Sequence, residues 1–138
     1  MGRWDGLDRR KFPRVKYPCL IVIRHGEDES QKEVILTHTE NLGVGGVCVV
    51  LKQNVKMFCP VYIELDLLDL GNHIKCNGKV VWNVRRKAED DSKPLFYDIG
   101  IEFVDLDKKE DARLEEIVVK CVKAGAEVPY KSFPPNKS

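Results

Sequence analysis

The sequence predicts a mainly-β protein, a six-stranded antiparallel β-barrel followed by one C-terminal α-helix. Two observations carry this. Six short segments rich in β-branched and aliphatic residues, several alternating apolar with polar, are separated by Gly, Asn and charged turns. Beyond residue 106 the apolar period changes from two to about 3.6, the period of a helix lying on a core. Six strands at this spacing fit a closed or nearly closed barrel.

Each element has its own signal. Residues 19–24 are apolar and β-branched, a first strand, and 26–30 form a polar, acidic hairpin loop. Residues 33–39 give a second strand, with Val34, Leu36 and His38 alternating against Ile35, Thr37 and Thr39. A polar, glycine-rich turn at 41–46 leads into a continuous apolar third strand at 47–51. Residues 61–67 alternate strictly and place Val61, Ile63, Leu65 and Leu67 on one face. A long strand at 73–84 contains Asn77-Gly78, which predicts a bend or bulge. Trp82, within the run Val80-Val81-Trp82, reads as a core residue before a stacking platform. Residues 97–103 complete the set.

Asp107 with Glu110 three residues later predicts a helix N-cap and capping box. Leu114, Ile117, Val118, Cys121 and Val122 then form one apolar stripe, and Gly125 is a natural stop, giving a helix over 107–124. The stripe is expected to pack on the barrel; a helix-to-helix seam is the alternative. The domain is thus 9–125, with an arm at 9–17, the barrel at 18–104 and tails at 1–8 and 126–138. Pro129, Pro134 and Pro135 mark the second tail as flexible.

Composition narrows the function. The formal net charge is +1 with 33% charged residues, so the chain is not a globally basic polyanion binder, and nucleic acid is not the expected partner. The five cysteines, Cys19, Cys48, Cys59, Cys76 and Cys121, show no C-x-x-C pair and read as reduced core thiols. His25, His38 and His73 lack metal-ligand spacing, so neither a metal nor a cofactor is expected. No apolar run is long enough to span a membrane, and a cytoplasmic location is the default. Paired carboxylates, a Cys–His set and nucleophile motifs are not evident, so an enzyme is not expected.

The charge that matters is local. Arg9, Arg10, Lys11, Arg14 and Lys16 crowd residues 9–16 with no acid among them. Alone, such a run is a solvated face. About 30 residues later comes Asn41-Leu42-Gly43-Val44-Gly45-Gly46, which alone could be a plain tight turn. Arginine's planar fork grips phosphate and the N7/O6 edge of guanine, while glycines permit close backbone approach and positive φ. Together the two stretches suggest a site for a phosphorylated, purine-bearing small molecule. Arg10 and Arg14, four apart in an extended arm, point the same way. The arm over 1–14 has few apolar anchors beyond Trp4, Leu7 and Phe12, which predicts that it is mobile until a ligand orders it.

Arg10 and Arg14 also fit an R-x-x-x-R element with Arg9 just ahead, and Asn41-x-Gly43-x-x-Gly46 resembles the [D/N]-x-S-x-x-G element of PilZ domains. The block Asp98-Ile99-Gly100-Ile101-Glu102-Phe103 is similar to that family's last barrel strand. The resemblance runs from about Arg9 to Lys123. It implies a split barrel, a bacterial receptor for cyclic di-GMP, a downstream protein partner, and ligand contacts from Arg9, Arg10, Arg14, Asn41, Gly43 and Gly46. One position departs from the pattern: the usual serine is Gly43 here. The missing hydroxyl forfeits about 0.5–1.5 kcal/mol if it made a neutral hydrogen bond. An adaptor that has lost the nucleotide and acts through protein contacts is the alternative that this glycine favours.

Overall fold

Strand after strand buries one face because its side chains alternate, and the pairing closes on itself. The computed structural model describes residues 13–26, 33–86 and 95–128. The strands are β1 (Leu20–His25), β2 (Glu33–Leu42), β3 (Gly46–Leu51), β4 (Pro60–Asp66), β5 (Ile74–Arg85) and β6 (Tyr97–Phe103), followed by the helix α1 (Lys108–Lys123). They form a closed barrel in the order β1-β2-β3-β6-β5-β4, every pairing antiparallel. The expected barrel-plus-helix architecture is therefore present.

In β4, Val61, Ile63 and Leu65 point inward between half-exposed Tyr62 and Glu64, as strict alternation requires. Ile21, Ile23, Val47, Val49, Ile74, Val80, Ile99 and Ile101 fill the same core. Each such side chain contributes about 1.5–3 kcal/mol by leaving water. Asp107 caps α1 through its carboxylate, which accepts the Glu110 N–H at 2.9 Å. Leu114 and Ile117 close one end of the barrel core, and Val118 joins a smaller cluster with Val15 and Val44. The apolar stripe thus packs on the barrel, and the helix ends before Gly125, whose φ of 83° suits glycine.

Two expectations need correction. The register shift in β5 falls at Val80–Trp82, not at Asn77-Gly78. Asn77 is instead pinned by Asp105, which accepts from both its backbone and its side-chain amide at 2.7 Å. Gly78 is needed for packing, because a Cβ there would lie 2.8 Å from Ile101 Cγ2. Residues 126–128 do not begin a free tail. Lys16 N–H donates to Ala126 O at 2.8 Å, Val128 N–H donates to Arg14 O at 2.8 Å, and Val15 bridges Glu127. No helix among the described residues is long and apolar enough to cross a membrane.

Candidate functional site

The chain enters the barrel beside the turn that the motifs single out. Val15 and Leu42 exchange two backbone hydrogen bonds of 2.9 Å, fastening the segment before β1 to the end of β2. Val15 is fully buried and Arg14 is only 8% exposed. Arg14 was expected on a loose, exposed arm; packing on both sides fixes it in place instead. Its Cγ lies 3.5 Å from where a Cβ on Gly43 would be, so the aliphatic stem runs across that glycine. Arg9 and Arg10 fall outside the described residues.

The turn itself is closed by Gly43 N–H donating to Gly46 O at 2.9 Å, and Gly45 O accepts from Phe103 N–H at 2.9 Å. The positive φ that glycine permits is not used in this turn. Among the described glycines only Gly26 and Gly125 have it. A Cβ on Gly43 would meet Arg14 Cγ and Pro13 O at 3.5 and 3.6 Å, ordinary contact, so neither backbone handedness nor close approach demands glycine here.

Asn41 follows the β2 register shift and faces outward, since its neighbour Leu42 is fully buried. Its Oδ1 is buried and has no hydrogen-bond partner among the described residues. A buried carbonyl oxygen without a partner is destabilising by about 1–3 kcal/mol, so such groups mark places where something else binds.

The pairing extends this spot into a row across four strands. Asn41 lies opposite Cys48, Cys48 opposite Gly100, and Gly100 opposite Trp82. The Trp82 indole lies over Gly100: a Cβ there would be 2.0 Å from the ring nitrogen. Trp82 is therefore not in the barrel core. It is a half-buried ring on the outer wall, packed with Cys48 and Val81. The hint in the sequence was Gly100, a mid-strand glycine that admits a neighbouring group. Cys48 was read only as a core thiol. It forms the floor of this wall, and burial, reinforced by Asp98, pushes its thiol up to about 12, leaving it protonated and unreactive at neutral pH.

Two residues from Gly100 along β6, Asp98 is buried and paired with Arg86. The Arg86 Nε donates to both carboxylate oxygens at 3.0 Å, and Nη2 approaches Oδ1 at 2.9 Å. This hydrogen bonding raises the guanidinium's pKa further and neutralises the only buried carboxylate on this wall among the described residues. Arg14, the 43–46 turn, Asn41 and the Trp82 ring thus lie along one outer wall of the barrel. Such a wall offers a cation and polar groups to an anion and a ring to a flat aromatic group.

The profile of the PilZ domain family matches residues 8–120, and the chain belongs to that family. The Bacillus subtilis inhibitor of motility MotI (DgrA) has a similar structure, with 16% identity and a TM-score of 0.65 over 84% of this chain and 52% of that one. The PilZ domain of Escherichia coli YcgR, solved with c-di-GMP, is 13% identical with a TM-score of 0.60, covering 85% of this chain and 94% of that one. The K. pneumonia MrkH complex with c-di-GMP is 18% identical with a TM-score of 0.64, covering 85% and 53%. At these identities the likeness establishes the fold. The chain spans about half the length of MotI and MrkH. Among curated proteins, sequence comparison finds no match.

Proposed function

We propose that the protein is a cyclic di-GMP receptor that signals by binding and not by catalysis. One observation carries this reading: the Arg14 stem lies across Gly43, and Asn41, two residues before it, has a buried Oδ1 with no partner among the described residues, so the two sequence elements meet on one side of the barrel. In this reading the Arg14 guanidinium contacts phosphate or a guanine edge. Asn41 Oδ1 accepts from guanine N–H groups, satisfying the orphaned oxygen, and the turn lends backbone N–H groups. Trp82 offers a ring edge or face against which a base can pack. Arg9 and Arg10 join the ligand from the preceding segment. Because Arg14 is already seated, any ordering on binding concerns the residues before Pro13. The ordered arm is then the new surface that a protein partner reads.

Gly43 in place of serine supports the second reading, an adaptor that has lost the nucleotide. Calorimetric titration with cyclic di-GMP separates them. Saturable binding, quenching of Trp82 emission in a Trp4→Phe background, and weakening by Arg14→Ala are expected. Wild-type protein silent at high micromolar ligand would overturn the receptor reading in favour of the adaptor.

A further inference from the structure

The β4–β5 connection, residues 67–73, turns two leucines out to solvent. Leu70 is fully exposed and Leu68 is 59% exposed. Both have left-handed backbones, φ 66° and 60°, a conformation that disfavours a branched aliphatic side chain by roughly 1–2 kcal/mol each. Yet the loop is braced. The Arg113 guanidinium from α1 donates to Asp69 at 2.8, 3.1 and 3.3 Å and to Asn72 O at 2.8 Å. Asp66 accepts from Leu68 N–H at 3.0 Å, and Asp69 accepts from Gly71 N–H at 3.1 Å. Gly71 is needed for this clamp, since a Cβ would lie 2.7 Å from Arg113 Nη2. Two apolar side chains are therefore held outward on a fixed support, against both hydration and backbone preference.

Beside them runs a cleft of about 610 Å³ lined by Glu64, Gly71, Asn72, His73, Lys75 and Glu110. Acids stand on both walls, and a hydrogen bond from His73 holds the Glu64 carboxyl below its usual range, so it stays charged. Asp66 adds a further carboxylate at the base of the loop, while Asp69 is neutralised by Arg113. Glu64 and Glu110 outnumber Lys75 among the lining side chains, and His73 lies between Glu64 at 2.6 Å and Asp66 at 3.5 Å.

We propose that this loop is a docking surface for a partner protein that offers an apolar socket to Leu68 and Leu70 and a basic side chain to the Glu64–Glu110 cleft. The acidic surroundings select against an anionic membrane and against a second copy of the same acidic face. The loop lies at the same end of the barrel as the 43–46 turn, and the Tyr17 hydroxyl, three residues from Arg14, donates to Leu67 O at its base. The proposal gives the receptor reading a partner surface, but docking here does not require the nucleotide.

The test uses the full chain in cells of the source organism, with a photo-crosslinking phenylalanine analogue at Leu70 or, as control, at Val34, which is 62% exposed on the outer face of β2. A protein adduct at Leu70 that is lacking at Val34 is expected. That protein, once purified, should bind wild type and lose at least tenfold with Leu68→Ser/Leu70→Ser and at least threefold with Glu64→Lys/Glu110→Lys. All variants are checked for an unchanged fold by circular dichroism. The same adducts at both positions, no adduct at Leu70, unaltered affinity of the variants, or flotation of wild type with phosphatidylglycerol vesicles would overturn it. Cyclic di-GMP titration of Leu68→Ser/Leu70→Ser separates the two readings. Retained nucleotide binding with lost docking is expected, whereas wild type that never binds nucleotide sinks only the receptor reading.

Discussion

Two loops at one end of the barrel solve opposite problems. The turn at 43–46 contains three glycines yet has no positive φ, and Asn41 just before it has a polar oxygen buried without a partner among the described residues. The loop at 67–73 puts bulky leucines at positive φ and exposes them, while its polar groups are satisfied by Arg113, Asp66 and Asp69. One loop has relaxed geometry and unmet hydrogen bonding; the other has met hydrogen bonding and strained geometry. The first suits a small polar ligand and the second an apolar protein surface. Glycine content alone would have assigned the strain to the wrong loop.

The largest expected effect tests the wall behind the first loop. Gly100→Ala forces the Trp82 ring off the β6 backbone and should destabilise the protein by about 1–3 kcal/mol. Thermal melts and a shift of Trp82 emission in a Trp4→Phe background report it. An unchanged melt with unchanged emission would mean that the ring does not lie over Gly100.

Arg14→Ala should weaken cyclic di-GMP binding by more than about 1.4 kcal/mol, tenfold, because charge-assisted contacts are lost. It should also lower stability without ligand by about 1 kcal/mol, since the buried stem packs across Gly43. Calorimetry and denaturant unfolding separate the two effects. A loss of affinity with no loss of stability would restore the picture of a free arm.

Gly43→Ser is a smaller change. A Cβ at this position meets neighbours at 3.5–3.9 Å, ordinary contact, and no left-handed φ stands in the way. Stability should hold within about 0.5 kcal/mol, and affinity should be kept or improved by about 0.5–1.5 kcal/mol as the hydroxyl gains a partner. Lost affinity at unchanged stability would place the ligand elsewhere.

The smallest change sharpens the second loop. Leu70→Asn should raise stability by roughly 0.5–1 kcal/mol, because asparagine tolerates the left-handed region and the fully exposed leucine forfeits no burial. A urea midpoint that moves down would show that Leu70 contributes to folding and is not held outward for a partner.

Strand alternation in β4, the apolar stripe of α1 and the Asp107 cap were legible in the sequence, because each is written in neighbours within a turn or two of chain. So were Arg14, Asn41, Gly43 and Gly46 as candidates, through their short spacings. Their meeting was not legible. Arg14 reaches Gly43 because Val15 pairs with Leu42 and Glu127, partners far apart along the chain. Trp82 stands on the outer wall because one register shift turns its side chain away from the core, and a one-residue slip reverses the face of every residue beyond it. The outward leucines depend on Arg113, some forty residues downstream, gripping Asp69. Local periodicity thus determined which elements form, since backbone geometry repeats over a few residues. The register between distant strands and the docking of the helix decided which side chains share a site, since those depend on how the whole core packs.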